Sequence, residues 1–230
     1  MLNIEIIKEN IQNWTDARNQ TSAINFLTSG NGFVITLHDY NNWEEIQPDT
    51  INCYLAINED NKLVVYLVDN ITDEEENYSI GENLFEKNFE EYFDNLPDNT
   101  SSPLRTNLPP SEADSRITNW VLCSNSWFKH KEKLREEAIP AGQMVQLFTI
   151  PFSDLHELFV VRNFEALKAT FALKYYENEV IEGYDIEVIL AKTEFNNDPE
   201  AGISLVKESF ADLSTGYPPA NMAGKFFNLL

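Results

Sequence analysis

The sequence predicts an α+β fold made of two divergent αβ repeats, each a helix, a strand, a short helix and a β-hairpin, with antiparallel or mixed sheets covered by helices. Three observations predict it. Apolar residues recur at helical spacing in two separate stretches, two pairs of β-rich runs flank short polar breaks, and both halves of the chain present these elements in the same order. At 230 residues, 43% hydrophobic and 12% aromatic, the chain has enough side-chain bulk for a packed core.

Ile4, Ile7, Ile11 and Trp14 lie three or four residues apart, which predicts an amphipathic helix from residue 3 to about 16. Ser29 to Gly32 is a break, and Phe33 to Leu37 reads as a strand. Asn41 followed by Glu44 resembles the cap of a short helix. The most legible stretch is Ile51 to Val68. Cys53, Leu55 and Ile57 alternate with Asn52, Tyr54 and Ala56, Asn58 to Asn61 supply turn residues, and Leu63 to Val68 is almost wholly apolar. That is a hairpin whose second strand is buried on both faces and whose first strand has one face open to water. Asp73 to Glu76 reads as a solvated acidic loop, and Leu84 to Phe93 as a further helix or a strand and helix.

Residues 95 to 110, with four prolines and few large apolar side chains, read as a linker. The expected organisation is an acidic N-terminal repeat over 1–96, a Pro-rich linker over 97–110 and a C-terminal repeat over 111–230. After the linker, Ser111 to about Glu137 is a long helix carrying Trp120 and Trp127, Met144 to Ile150 a strand, and Ser153 to Leu158 a short capped helix. Ala166 to Tyr176 and Tyr184 to Lys192 form a second hairpin. The likeness between the halves rests on Ile11 to Trp14 against Ile117 to Trp120, Gly32 against Gly142, Tyr40 to Ile46 against Phe152 to Leu158, and Leu84, Phe89 and Pro97 against Leu205, Phe210 and Pro218. The terminal Phe226, Phe227, Leu229 and Leu230 are expected to pack back onto the body.

Charge narrows the function. The formal net charge is −22, from 16 basic and 38 acidic residues. A chain so poor in Lys and Arg is ill suited to neutralising nucleic-acid phosphates. No apolar run approaches the length of a membrane-spanning helix, and the N-terminus lacks the pattern of a secretory signal, so a cytoplasmic location is expected. Cys53 and Cys123 both fall in apolar elements and read as buried, unpaired thiols.

Candidate chemistry is sparse. His38 beside Asp39 at a strand end, with His156 on the matching short helix, is the one constellation that suggests ligand binding. Cys123 and His130 lie on one face of the long helix, yet seven residues separate them by about 10 Å, beyond hydrogen-bond reach. Gly30-Asn31-Gly32 leads into a strand rather than a helix, so it is a turn and not a phosphate loop. Residues 69–76 lack the alternating oxygens of a calcium loop. No catalytic residue, metal site or cofactor is expected.

The function these features point to is a non-enzymatic, acidic protein-interaction module, inhibitor- or immunity-like, that uses Asp73, Glu74, Glu75 and Glu76 to engage a basic protein partner. The alternative is a small-ligand binder or enzyme with a cleft between the two repeats, formed by His38, Asp39 and His156. The apolar C-terminus or a hairpin edge also offers a contact for a homodimer.

Overall fold

The computed structural model describes residues 2–91, 110–177, 182–192, 210–212, 215–217 and 227–230. The chain is mixed α+β, with two antiparallel sheets and several helices. Helix α1 (Ile4–Ala17) follows the predicted periodicity, burying Ile7, Ile11 and Trp14. The side chain of Asn3 caps it, accepting from the N–H of Ile6 at 3.0 Å. A short α2 (Ala23–Leu27) leads to β1 (Gly32–Thr36) and α3 (Leu37–Glu44). The hairpin is β2 (Thr50–Ile57) with β3 (Leu63–Asp69), followed by α4 (Asn70–Glu75) and β4 (Leu84–Asn88). Helix α5 (Pro110–Glu136), a 3-10 turn (Pro140–Gly142), β5 (Leu147–Pro151) and α6 (Phe152–His156) come next, with a single π-helical turn (Glu157–Val161) extending α6. The second hairpin is β6 (Ala166–Glu177) with β7 (Glu182–Lys192), and two short strands, β8 (Phe210–Asp212) and β9 (Thr215–Tyr217), complete the sheets.

Strand order is β1-β6-β7-β8 in one sheet and β4-β3-β2-β5-β9 in the other, so each sheet draws strands from both sides of residues 92–109. The two crossings are alike in detail. Thr36 at the end of β1 pairs with Ala166 at the start of β6, and Pro151 at the end of β5 pairs with Thr50 at the start of β2. The first N–H of each following helix donates to the carbonyl just before the hairpin it meets: Leu37 to Glu165 and Phe152 to Asp49, both at 2.9 Å.

Strand alternation divides the interior. Cys53, Leu55, Val65 and Leu67 face a core shared with Ala169, Phe171, Val188 and Leu190 of the other sheet, while Tyr54, Ala56, Val64 and Tyr66 face a second core closed by Ile7 and Ile11 of α1. The first strand of the hairpin was expected to have a wet face. It has none, because α1 and Leu229, near the C-terminus, cover that side. At about 25 cal/mol per Å² of apolar area, each of these fully buried large side chains contributes roughly 1.5–3 kcal/mol. The outer face of the other sheet is covered by α5, whose Ala113 packs with Ala172 and Ile189 and whose Arg116 reaches the buried Glu187 at 3.1 Å.

Several local expectations are corrected. The acidic stretch is helical rather than looped, since Asp69 caps it by accepting from Thr72 N–H at 2.8 Å. Helix α3 begins at Leu37, capped by Thr36, not at Asn41. Of the two readings of Leu84 to Phe93, the one that opens on a strand holds for residues 84–88, and residues 92–93 lie outside the described ones; Cys123 is exposed, against expectation, while Cys53 is buried. Gly32 and Gly142 are required by close approach: a Cβ on Gly32 would lie 2.3 Å from the carbonyl oxygen of Ala169, and one on Gly142 2.5 Å from the nitrogen of Arg135. Of the terminal residues, Leu229 is buried and Phe227 meets the Tyr54 ring edge-on, whereas Leu230 is exposed; Pro97, Leu205, Pro218 and Phe226 lie outside the described residues. Among the described residues, no helix is long and apolar enough to cross a membrane.

Candidate functional site

Three regions hold the residues singled out in the sequence. The first is the start of α3. Thr36 and Asp39 form a reciprocal capping box: Asp39 Oδ2 accepts from the Thr36 backbone N–H at 2.7 Å and from its hydroxyl at 2.9 Å, and the Thr36 hydroxyl accepts from Asp39 N–H at 3.3 Å. The same oxygen takes the Lys87 ammonium at 2.6 Å from β4. Asp39 is thus buried and fully engaged in tying α3 to the sheet edge. His38 is exposed, with its ring edge-on to Phe85 at 6.2 Å.

His156 is brought not to His38 or Asp39 but to Tyr40, whose oxygen is 2.7 Å from Nδ1. The Tyr40 hydroxyl also donates to Glu44 at 3.0 Å. A phenol has one proton, so with that proton directed to Glu44 the Tyr40 oxygen accepts from Nδ1 of the histidine. Tyr40 is buried, stacked between Phe152 at 5.3 Å and Phe159 at 5.2 Å. Burial, reinforced by the Glu44 carboxylate, pushes its phenol up to about 12. The arrangement joins α3 to α6 through a buried phenol and an exposed imidazole. It could relay a proton, but among the described residues its hydrogen-bonding partners include no nucleophile. The tyrosine was missed because its partners are 116 residues apart or four away on the same helix.

The second region is α4. Asp73 points inward and is fully buried, while Glu74, Glu75 and Glu76 are exposed. Asp73 accepts from Asn52 at 2.7 Å, from the Tyr54 hydroxyl, and from the Tyr78 hydroxyl at 2.9 Å. Asn228 donates to the Asp73 backbone carbonyl at 2.9 Å, and the Leu229 N–H donates to the Tyr54 oxygen, so the C-terminal turn closes over the cluster. Desolvation raises the Asp73 carboxyl above its ordinary range, against the lowering effect of its hydrogen bonds. The Tyr54 and Tyr78 phenols are raised by burial and by the same carboxylate.

Glu76 caps the C-terminus of α4 in the left-handed conformation, φ 56°, and Lys8 lies 3.9 Å from it. Glu82 and Glu86, also exposed, flank the start of β4 and its middle, and Glu86 accepts from Tyr66 at 3.1 Å. Tyr66 and Tyr54 share one face of their sheet, so α4 and Glu86 stand on the same side.

The third region comprises two cavities, neither lined by His38, Asp39 or His156. The larger, about 930 Å³, opens between α2, the β2–β3 turn and the end of β4, and extends to Glu91, the last described residue of that stretch. The smaller lies between α5 and the β6–β7 hairpin. Among the described residues there is no group of three or more His, Cys, Asp or Glu side chains able to hold a metal ion. Comparison of the chain with protein-family models, with curated proteins and with solved structures finds no match in any of the three.

Proposed function

We propose that this protein is a non-enzymatic acidic interaction module that engages a basic protein through the face formed by α4 and β4. The observation that carries the reading is charge without local compensation. From Glu59 to Glu91 the chain has 11 acidic residues and two lysines, Lys62 and Lys87, and the Lys87 ammonium is held 2.6 Å from buried Asp39. Glu74, Glu75 and Glu76 of α4 stand exposed, with Lys8 the one cation within 4 Å of them among the described residues. Asp73 holds the helix in place from inside, and the three glutamates provide the contact. A one-signed surface of this kind speeds encounter with a positive partner and rejects negative ones. Neutralising a basic toxin or nuclease, as an inhibitor or immunity protein does, is the task such a face suits.

A divergent tandem duplication, with repeats 1–96 and 111–230 joined by 97–110, is the architecture we propose for it. Support comes from the matching strand orders β4-β3-β2-β5 and β8-β7-β6-β1 and from the paired Leu37–Glu165 and Phe152–Asp49 hydrogen bonds. On this reading each repeat lends its first strand to the other's hairpin, and Thr36 corresponds to Pro151.

The test of function is binding of a fluorescent oligolysine peptide, and of proteins captured from lysate, to wild type and to a Glu74→Gln, Glu75→Gln, Glu76→Gln triple variant. Affinity for the peptide should fall at least about tenfold in the variant and decline steadily with salt. Equal binding by both proteins, or affinity indifferent to ionic strength, would exclude this face.

A further inference from the structure

The cavity between α5 and the β6–β7 hairpin, about 370 Å³, has the size of a small-molecule site and a division of chemistry that suits one. Asn119, Cys123, Ser126 and His130 line it from α5, spaced four, three and four residues apart, which is a single stripe along one side of the helix. Beside the stripe Trp127 of the same helix, and across from it Leu173 and Tyr184 of the hairpin, make the lining apolar. Trp127 and Leu173, 5% and 2% exposed, are part of the main core, and Tyr184, 49% exposed, stands at the hairpin with its ring 5.3 Å from Tyr175.

The apolar wall is held before any ligand arrives. Trp127 meets the Trp120 ring edge-on at 5.6 Å, and the Lys131 ammonium sits 5.8 Å from its centroid. Lys131 is itself pinned by Asp185 and by the carbonyl of Ala141, both at 2.7 Å. A wall fixed in this way costs little further ordering on binding. Among the described residues the lining holds no Lys, Arg, Asp or Glu, and the nearby Lys131 ammonium is already paired with Asp185, which favours a neutral ligand. Along the stripe, Cys123 and His130 are about 10 Å apart by helical rise, the long dimension of two fused aromatic rings with a substituent.

We propose that this cavity binds a small, flat, uncharged two-ring aromatic molecule, its face on Trp127 and Leu173 and its polar edge hydrogen-bonded by Asn119, Ser126 and His130. The site is separate from the acidic face of α4 and β4, so either reading can fail without the other. Cys123 serves as the reporter, since it is exposed at the cavity and Cys53 is fully buried.

The probe is prodan, a neutral naphthalene with a carbonyl acceptor. Its emission should shift to the blue and saturate at one equivalent, and at nine-tenths occupancy the alkylation of Cys123 by N-ethylmaleimide should slow about tenfold. Ser126→Trp, which fills the cavity from an exposed helix position, should weaken prodan binding at least about tenfold, whereas Val121→Ser, exposed on α5 outside the cavity lining, should leave it within about twofold. Emission that never saturates, alkylation indifferent to prodan, or wild-type affinity in a Ser126→Trp protein with unchanged circular dichroism would each overturn the proposal. The alkylation measurement needs no variant, so a folding defect in Ser126→Trp does not shield it.

Discussion

Replacing Asp73 with alanine removes the acceptor at the centre of a closed polar cluster. Asn52 and Tyr54, 1% and 0% exposed, lose the oxygen they share, while the half-buried Tyr78 hydroxyl turns to water. A buried donor left unsatisfied costs about 1–3 kcal/mol, so two cost roughly 2–6 kcal/mol. Relief from burying a carboxylate offsets part of this, and the net loss is expected at about 2–4 kcal/mol. Urea unfolding at neutral pH, followed by tryptophan fluorescence, measures it. A loss below about 1 kcal/mol would mean that the donors find other partners and that Asp73 is not what organises α4 and the C-terminal turn. The Asp73→Asn variant tests the electrostatics separately. A carboxyl whose folded pKa is raised above the ordinary value of 3.8 binds more protons folded than unfolded between the two values. Its contribution to stability therefore grows as pH falls through the folded pKa and levels off below the unfolded one. The stability difference, wild type minus Asp73→Asn, should increase as pH is lowered toward the ordinary carboxyl value of 3.8. If that difference narrows instead, the hydrogen bonds outweigh desolvation and the reasoning is wrong.

Three further outcomes test the fold around the candidate site. Asp39→Ala removes the reciprocal half of the α3 capping box and leaves the Lys87 ammonium, with its side chain 16% exposed, without its counter-ion, and should cost about 2–4 kcal/mol in the same unfolding assay. Gly32→Ala would drive a Cβ against the Ala169 carbonyl at 2.3 Å and part β1 from β6; an expected loss of about 1–3 kcal/mol is read from the thermal midpoint. Native protein should expose one thiol to a chromogenic disulfide reagent and two after unfolding, because Cys123 is exposed while Cys53 is buried and its thiol pushed up by desolvation.

Much of the local structure was legible from residue spacing. Ile7, Ile11 and Trp14 declared α1, and the alternation through Ile51 to Val68 declared the first hairpin, whose register the structure gives as Ile57 opposite Leu63 and Cys53 opposite Leu67. The cap of α3 was also written there, as Thr36 followed by Asp39, but Asn41 with Glu44 carries a similar pattern five residues later and competes with it. The acidic run misled for a different reason. Four successive carboxylates read as solvated, yet a helix places neighbours about 100° apart, so Asp73 turns inward while Glu74 to Glu76 stay in water. Cys123 looked buried among Trp120, Val121 and Trp127, but on the long helix it opens into the cavity beside the β6–β7 hairpin and is exposed.

By itself the sequence determined the periodic elements, the turns between them and the excess of negative charge, because these depend on neighbours within a few positions along the chain. Only the tertiary structure decided that β1 joins β6 and β5 joins β2, since backbone hydrogen bonds between distant strands carry no mark of residue identity. It also decided which acids are buried and which are open. Asp39 lies inside because Lys87 arrives from β4, and Asp73 because Asn52, Tyr54 and Tyr78 converge on it, whereas nothing converges in this way on Glu74 and Glu75. A carboxylate leaves water only where enough donors meet it, and that meeting is made by the fold.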